Sequence, residues 1–372
     1  MRSIDVGINS AALALLLALC AGGCAISLDG DAAPAPDAGG PAPRLTGCRL
    51  FADSGAVLAV SGAARSLDDG AGGALWIVDA VTVRGADGSE RTVSGAGVTV
   101  AAEAPLAACL AGGAWLGGPD DPQPLLDPAL LGAGESAAPL APVRTAAGAR
   151  LYYALSRAAP DQPFGTQLVG YGVAARDDAT GRFVPGALLF AGDRPAFGVA
   201  ALAGADAVYV YGCQDDGFLA ASCAVARAPA DRLADESAYE FYQGGGQWIA
   251  RVEDAWPIVA AGTTVSVAYD ATRARYLMAY VTPLGRTLIL RSGLGPTGPW
   301  SRPYEVAACE LPARDPGAFC GNAALHPDLA ARVPAGSVAL TYAIATFARP
   351  AGTTAEDYWT RLVVVPLPPE LP

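Results

Sequence analysis

Lysine is missing altogether from this chain, histidine occurs once, at His326, and no run of basic residues interrupts an acidic composition. All 24 cationic side chains are arginines, set against 36 Asp and Glu for a formal net charge of -12. Phosphate backbones are gripped by clustered positive charge, so nucleic acid is excluded as a partner. The absence of lysine removes a Walker A loop, a Schiff-base lysine and pyridoxal chemistry. A single histidine and the lack of any C-x-x-C spacing argue against zinc, and no metal or other cofactor is expected. There is no G-x-S-x-G elbow, and a serine triad would have to use His326 with no identifiable serine. The glycines at 293, 295 and 298 match the dinucleotide-binding pattern, but Pro296 lies among them and no helix follows, so the stretch is read as a turn. Asp120-Asp121-Pro122 and Asp177-Asp178 are read as solvated acidic turns, with calcium as the alternative.

Long apolar runs are equally scarce. The one near the start, Ala11 to Leu19, is too short to span a bilayer and sits where a secretory signal would place it, ahead of small residues and a cysteine. Ala21-Gly22-Gly23-Cys24 resembles a bacterial lipobox, which makes residues 1–23 a signal peptide and Cys24 the lipidated N-terminus; ordinary cleavage and free secretion is the alternative. Residues 24–44, rich in Ala, Pro, Asp and Gly, offer little to bury and read as a disordered tether. The membrane is thus contacted through the N-terminal lipid only, and residues 45–372 form the single folded domain, expected to be monomeric. Six cysteines remain in it. An even number in an exported chain points to disulfides, and sequence proximity favours Cys213 with Cys223 and Cys309 with Cys320, leaving Cys48 for Cys109.

What the chain has in abundance is short strands. VSVAYD, RYLMAYV and RTLILRS, between Val265 and Ser292, are apolar runs cut apart by turn chemistry, and a fourth strand is expected beyond Gly298-Pro299-Trp300. They show little alternation, so both faces of such a sheet need cover. The second strand recurs: ALWIVD from Ala74, RLYYAL from Arg150, AVYVYG from Ala207, RYLMAY from Arg275 and VALTYA from Val338. The strand after it recurs too, with Arg176, Arg227 and Arg291 near its end, positions suited to hydrogen bonding between neighbouring sheets. Five sheets with two oily faces each can cover one another by closing radially. The expected fold is therefore all-β, a five-bladed β-propeller, with a pair of stacked sandwich sheets as the competing arrangement.

The order AVYVYG, CAVARAP, ESAYEFYQGGGQW, VSVAYDATRARYLMAY, LRSGLGPTGPWSRP, LHPDL and LTYAI resembles the bacterial family catalogued as domain of unknown function 4185, most clearly from Phe197 to Pro366. The resemblance implies a propeller related in fold to the five-bladed glycosidases, some of whose members are described as endo-D-arabinanases. Where relatives tend to show Gly-Asp-Thr at the end of the first blade's second strand, this chain has Val78-Asp79-Ala80, keeping the acid and losing its neighbours.

Propeller geometry offers an independent route to a site. First strands line the channel, and the start of a first strand shares a face with the end of the second. Asp53, Asp79, Trp256, Tyr280 and His326, the last read as opening an HPDL strand, are expected to converge on one mouth. Asp53 and Asp79 would serve as the catalytic carboxylates of a glycosidase, and His326, Trp256 and Tyr280 would bind the sugar. Three functions follow from this reading. The first is an exported, lipid-anchored glycosidase acting on arabinan-like polysaccharide of the cell envelope. The second is an inactive propeller that binds glycan or protein. The third is a structural envelope protein.

Overall fold

The computed structural model describes residues 45–371 apart from 53–55, 71, 86, 163–164 and 218–219. The expected signal, Cys24 and the tether lie outside the described residues, as does Asp53. The chain begins with a short strand β1 (Cys48–Arg49) and then runs through five sheets in order. Blade one is β2 (Val57–Asp68), β3 (Ala74–Arg84), β4 (Glu90–Val100) and β5 (Ala114–Trp115). Blade two is β6 (Glu135–Thr145), β7 (Gly148–Ala158), β8 (Thr166–Arg176) and β9 (Phe183–Ala191). Blade three is β10 (Ala196–Ala203), β11 (Val208–Gly217), β12 (Ala220–Ala228), β13 (Glu240–Gly244) and β14 (Gln247–Ile249), with β15 (Val259–Ala260) also paired to β12. Blade four is β16 (Val265–Asp270), β17 (Arg275–Tyr280), β18 (Thr287–Gly293) and β19 (Tyr304–Ala308). Blade five is β20 (Phe319–Leu325), β21 (Ser337–Ala345) and β22 (Arg361–Pro366), completed by β1. The five recurrent segments of the sequence are the second strands β3, β7, β11, β17 and β21, one per blade.

Why the sheets close on one another is visible in β3. Successive side chains of a strand point to opposite faces. Trp76 and Val78 enter a cluster shared with Leu329, Ala339 and Leu362 of blade five, whereas Leu75 and Ile77 enter one shared with Leu151 and Tyr153 of blade two. The same arrangement joins blades two and three, three and four, and four and five. The apolar core of the protein is therefore the set of interfaces between blades. Separating two blades would expose an apolar face on each, at roughly 25 cal/mol per Å² of apolar surface. Of the recurrent arginines, Arg291 crosses between blades, donating from Nη2 to Ala260 O in β15 at 3.2 Å. Arg227 instead pairs within its blade, with Glu240 at 2.7 Å.

The ring is fastened where its ends meet. β1 pairs with β22 in antiparallel register, Cys48 opposite Leu362, so the start of the domain supplies the outer strand of the last blade. Trp359 Nε1 donates to Leu50 O at 2.6 Å, and Thr360 N–H donates to Val60 O at 2.8 Å, carrying blade five onto blade one. Cys48 is disulfide-bonded to Cys109, and the other two pairs are Cys213–Cys223 and Cys309–Cys320, the pairing that sequence proximity favours. Three disulfides mark an extracytoplasmic protein.

The first strands carry one further device. β2, β6, β10 and β20 each bulge, between Ser61 and Ala64, Pro139 and Pro142, Phe197 and Ala200, and Gly321 and Ala324, whereas β16 is regular. A bulge bends its strand and re-aims the side chains beside it. In β2 the bulge holds Gly62 at φ +79, with space for nothing larger: a Cβ there would stand 2.5 Å from that of Asp79.

Candidate functional site

The five first strands enclose a cavity of about 410 Å³ along the propeller axis. Its wall comes from residues 63 and 65–68 of β2, 141–144 of β6, 199–203 of β10, 264–268 in and just before β16, and 322–325, 327 and 328 of β20 and the turn after it. For most blades this is the second half of the first strand. The cavity therefore sits toward the ends of the first strands, not at their starts, where sequence reasoning looked for the site. Small apolar residues form much of the wall, and its polar groups include Arg65, Ser66, Asp68, Arg144, Asn322 and Asp328. A concave site of this size with a few convergent polar groups is typical of small-ligand pockets.

Asp79 lies just behind that wall. It stands in β3 opposite the β2 bulge, where the distorted register leaves the Ala63 amide free to donate to Asp79 Oδ2 at 2.7 Å. Arg65, which lines the cavity, donates from Nη1 to Asp79 Oδ1 at 3.0 Å, and the two side chains are only 11% and 12% exposed. The carboxylate thus fixes both the bulge and the arginine that faces the cavity.

Asp328 lines the cavity itself, and sequence reasoning did not single it out. Its Oδ1 makes a short hydrogen bond with Ser66 Oγ, and Ser66 Oγ is 2.7 Å from His326 Nδ1. On the far side of the ring, His326 Nε2 is 2.8 Å from Thr341 Oγ1, which donates to Ala64 O at 3.0 Å. Asp328 Oδ2 is buried with no hydrogen-bond partner among the described residues. Burial raises the pKa of the Asp328 carboxyl and the nearby Asp68 charge adds to this, while the Ser66 hydrogen bond and the charge of Arg332 act the other way. The legible signal was the HPDL segment, in which the acid stands two residues after the histidine.

His326 is 2% exposed and stacks on Trp76, ring centroids 4.3 Å apart, so it belongs to the packing between blades one and five and not to the cavity wall. The HPDL segment is no strand: His326 follows β20 and caps a 3-10 helix, Pro327–Arg332, because Pro327 removes the amide that another ladder bond would need. Burial pushes the imidazole pKa down to about 3, since a protonated ring would have to be desolvated. Tyr280 is likewise buried, within the cluster between blades three and four, with Arg291 Nε donating to its hydroxyl at 3.1 Å. Trp256 is 58% exposed and stays with blade three, where its amide donates to Tyr242 O at 2.9 Å and its ring lies against Gly244. The structure therefore brings Asp79, through Arg65, to the edge of the cavity, and does not bring His326, Tyr280 or Trp256 into its wall. The sequence placed these three by strand ends alone; His326 stands between cavity-lining Leu325 and Pro327 and Tyr280 pairs with cavity-lining Val265, but both side chains turn into the interfaces between blades.

This architecture, four sheets of four strands and one of six around a polar-lined axial cavity, defines the class: a five-bladed β-propeller. Over residues 174–351 the chain matches the family model described as "Domain of unknown function (DUF4185)". Among solved structures, a Bacteroides ovatus protein described as a "putative hydrolase" superposes with a TM-score of 0.60 at 14% identity, covering 82% of this chain and 85% of that one. The GH43_1 enzyme from Xanthomonas citri, complexed with xylose, is more distant, with a TM-score of 0.49 at 14% identity over 86% of this chain and 90% of its own. No curated protein matches the chain.

Proposed function

We propose that the protein is an exported glycoside hydrolase whose axial cavity binds a furanose polymer of the arabinan type in the cell envelope. The observation that carries this reading is Asp328, a cavity-lining carboxyl whose burial favours its protonated form, the state a general acid needs before the bond breaks. In the step proposed, the glycosidic C–O bond breaks with its electron pair on the leaving oxygen, which takes the proton of Asp328. Water adds to the sugar carbon and gives its proton to a second carboxylate. Asp79, paired with Arg65 beside the cavity, is assigned that role, and Asp53 remains a candidate on its sequence position. Tyr269, exposed and next in sequence to cavity-lining Ala268, offers a ring face for a sugar, with the tilted ring of Tyr276 5.1 Å away between centroids. The three disulfides fit export, and lipidation at Cys24 would hold the domain at a membrane surface by a tether reaching roughly 25 to 60 Å.

Incubation of the purified protein with bacterial and plant arabinans, beside Asp328→Asn, Asp79→Asn and Asp53→Asn, tests the reading. Release of sugar by the parent and its loss in Asp328→Asn is expected; no release from any polymer would end it. A second reading, an inactive glycan-binding propeller, draws on Asp79, whose two oxygens are both engaged by Ala63 and Arg65. It predicts retention of the polymers without cleavage, undiminished in Asp79→Asn.

A further inference from the structure

We infer that Asp328, Ser66 and His326 share one proton at neutral pH, that it resides on Asp328, and that Ser66, His326 and Thr341 are positioning residues that keep it there. The inference follows from counting hydrogens. Ser66 Oγ makes two short contacts, with His326 Nδ1 and with Asp328 Oδ1, and each needs a hydrogen between its atoms. A serine hydroxyl has one. The other must come from a protonated Nδ1 or a protonated carboxyl.

The far end of the chain decides which. Thr341 gives its only hydrogen to Ala64 O, and a carbonyl has none to return, so the 2.8 Å contact between Thr341 Oγ1 and His326 Nε2 requires the hydrogen on Nε2. A further hydrogen on Nδ1 would make His326 an imidazolium, buried against Trp76 and touching no carboxylate. The groups facing the ring are Trp76, Ser66 and Thr341, none of which carries charge to offset that burial. Asp328 faces the negative charge of Asp68 and the positive charge of Arg332, and it has its own burial to relieve by staying neutral. The arrangement is therefore Asp328 O–H to Ser66 Oγ, Ser66 O–H to His326 Nδ1, and His326 Nε2–H to Thr341 Oγ1. Under the hydrolase reading on which its functional meaning rests, this chain keeps the general acid loaded. Rotation of the carboxyl turns the O–H from Ser66 toward the cavity. Once the proton has passed to a leaving oxygen, Ser66 can swing its hydrogen from Nδ1 to the new carboxylate, which is then stabilised.

Because the chain has one histidine, labelling with ¹⁵N-histidine reports a single imidazole. Nitrogen shifts of a neutral ring protonated at Nε2 are expected at pH 7, unchanged in Asp328→Asn, whose amide still donates to Ser66. The infrared difference between the parent and Asp328→Asn should contain one protonated-carboxyl stretch at pH 7. Thr341→Val removes the acceptor of Nε2–H; the ring should move to the Nδ1–H form and the carboxyl stretch should vanish as Ser66 turns to an ionised Asp328. An imidazolium, an Nδ1–H ring or a missing carboxyl stretch in the parent overturns the inference, and the parent spectra decide it even where Thr341→Val does not fold. Neither spectrum involves a substrate, so failure to cleave any glycan would remove the hydrolase reading and leave the proton placement standing.

Discussion

Stability in acid tests the buried histidine most directly. In Asp328→Asn the histidine is the only titrating member of the chain of contacts, and its pKa is about 3 in the fold against 6.5 for the free side chain. A base with a depressed pKa is protonated more readily in the unfolded state, so its contribution to stability is lost as pH falls from about 6.5 toward about 3. Between pH 7 and pH 5 that linkage amounts to roughly 2 kcal/mol, and to roughly 3 kcal/mol at pH 4, at about 1.4 kcal/mol per pH unit over the window. Other carboxylates titrate in the same range, so the comparison is with Asp328→Asn/His326→Gln, which shares all of them. Urea unfolding followed by tryptophan fluorescence should show the single variant losing more stability on acidification, by about one proton's slope. In the parent, Asp328 opposes the trend: its raised pKa makes the folded state the better proton holder, a contribution gained as pH falls through that pKa. The parent should therefore be flatter in acid than Asp328→Asn. Parallel curves for the single and double variants would refute a neutral, buried His326.

Three further outcomes follow from the packing. Trp76→Ala empties a fully buried site between blades one and five and removes the ring on which His326 stacks; a loss of about 3–5 kcal/mol is expected in denaturant unfolding. Cys48→Ser with Cys109→Ser opens a closure spanning 61 residues, which the loop-entropy argument places at roughly 4 kcal/mol, and it should expose β1 to limited proteolysis before any other strand. Gly62→Ala forces a Cβ into Asp79 at a positive φ; destabilisation by more than about 1 kcal/mol is expected, with loss of any activity that depends on the Asp79–Arg65 pair, read by thermal unfolding and by the arabinan assay.

The propeller was legible because its signal is local and repeated. Five second strands of apolar residues on both faces announce sheets that need two neighbours, and a ring supplies them with no sheet left uncovered. The disulfide pairing was legible for a related reason: Cys213 and Cys223 face each other across one hairpin, and Cys309 lies just before the blade that holds Cys320. Asp79 could be named because it ends a recurring segment. Which mouth of the channel matters could not be read the same way, since a strand has two ends and periodicity does not distinguish them. His326 went astray for another reason: its backbone runs beside the cavity between Leu325 and Pro327, but its ring turns into the packing between blades one and five. The bulge that joins Asp79 to Arg65 depends on the Gly62 backbone conformation, which one glycine among many does not reveal.

By itself, then, the order of residues determined a ring of five two-faced sheets, its three covalent ties and an acid at the end of a first-blade segment. Only the closed tertiary structure decided that β1 finishes the last blade, that the cavity lies toward the far ends of the first strands, and that Ser66 meets Asp328 from 262 residues away. The physical reason is the range of the forces involved. Strand formation and turns are set by near neighbours, whereas the placement of a proton on a buried carboxyl is set by groups that become neighbours only when blades one and five pack together.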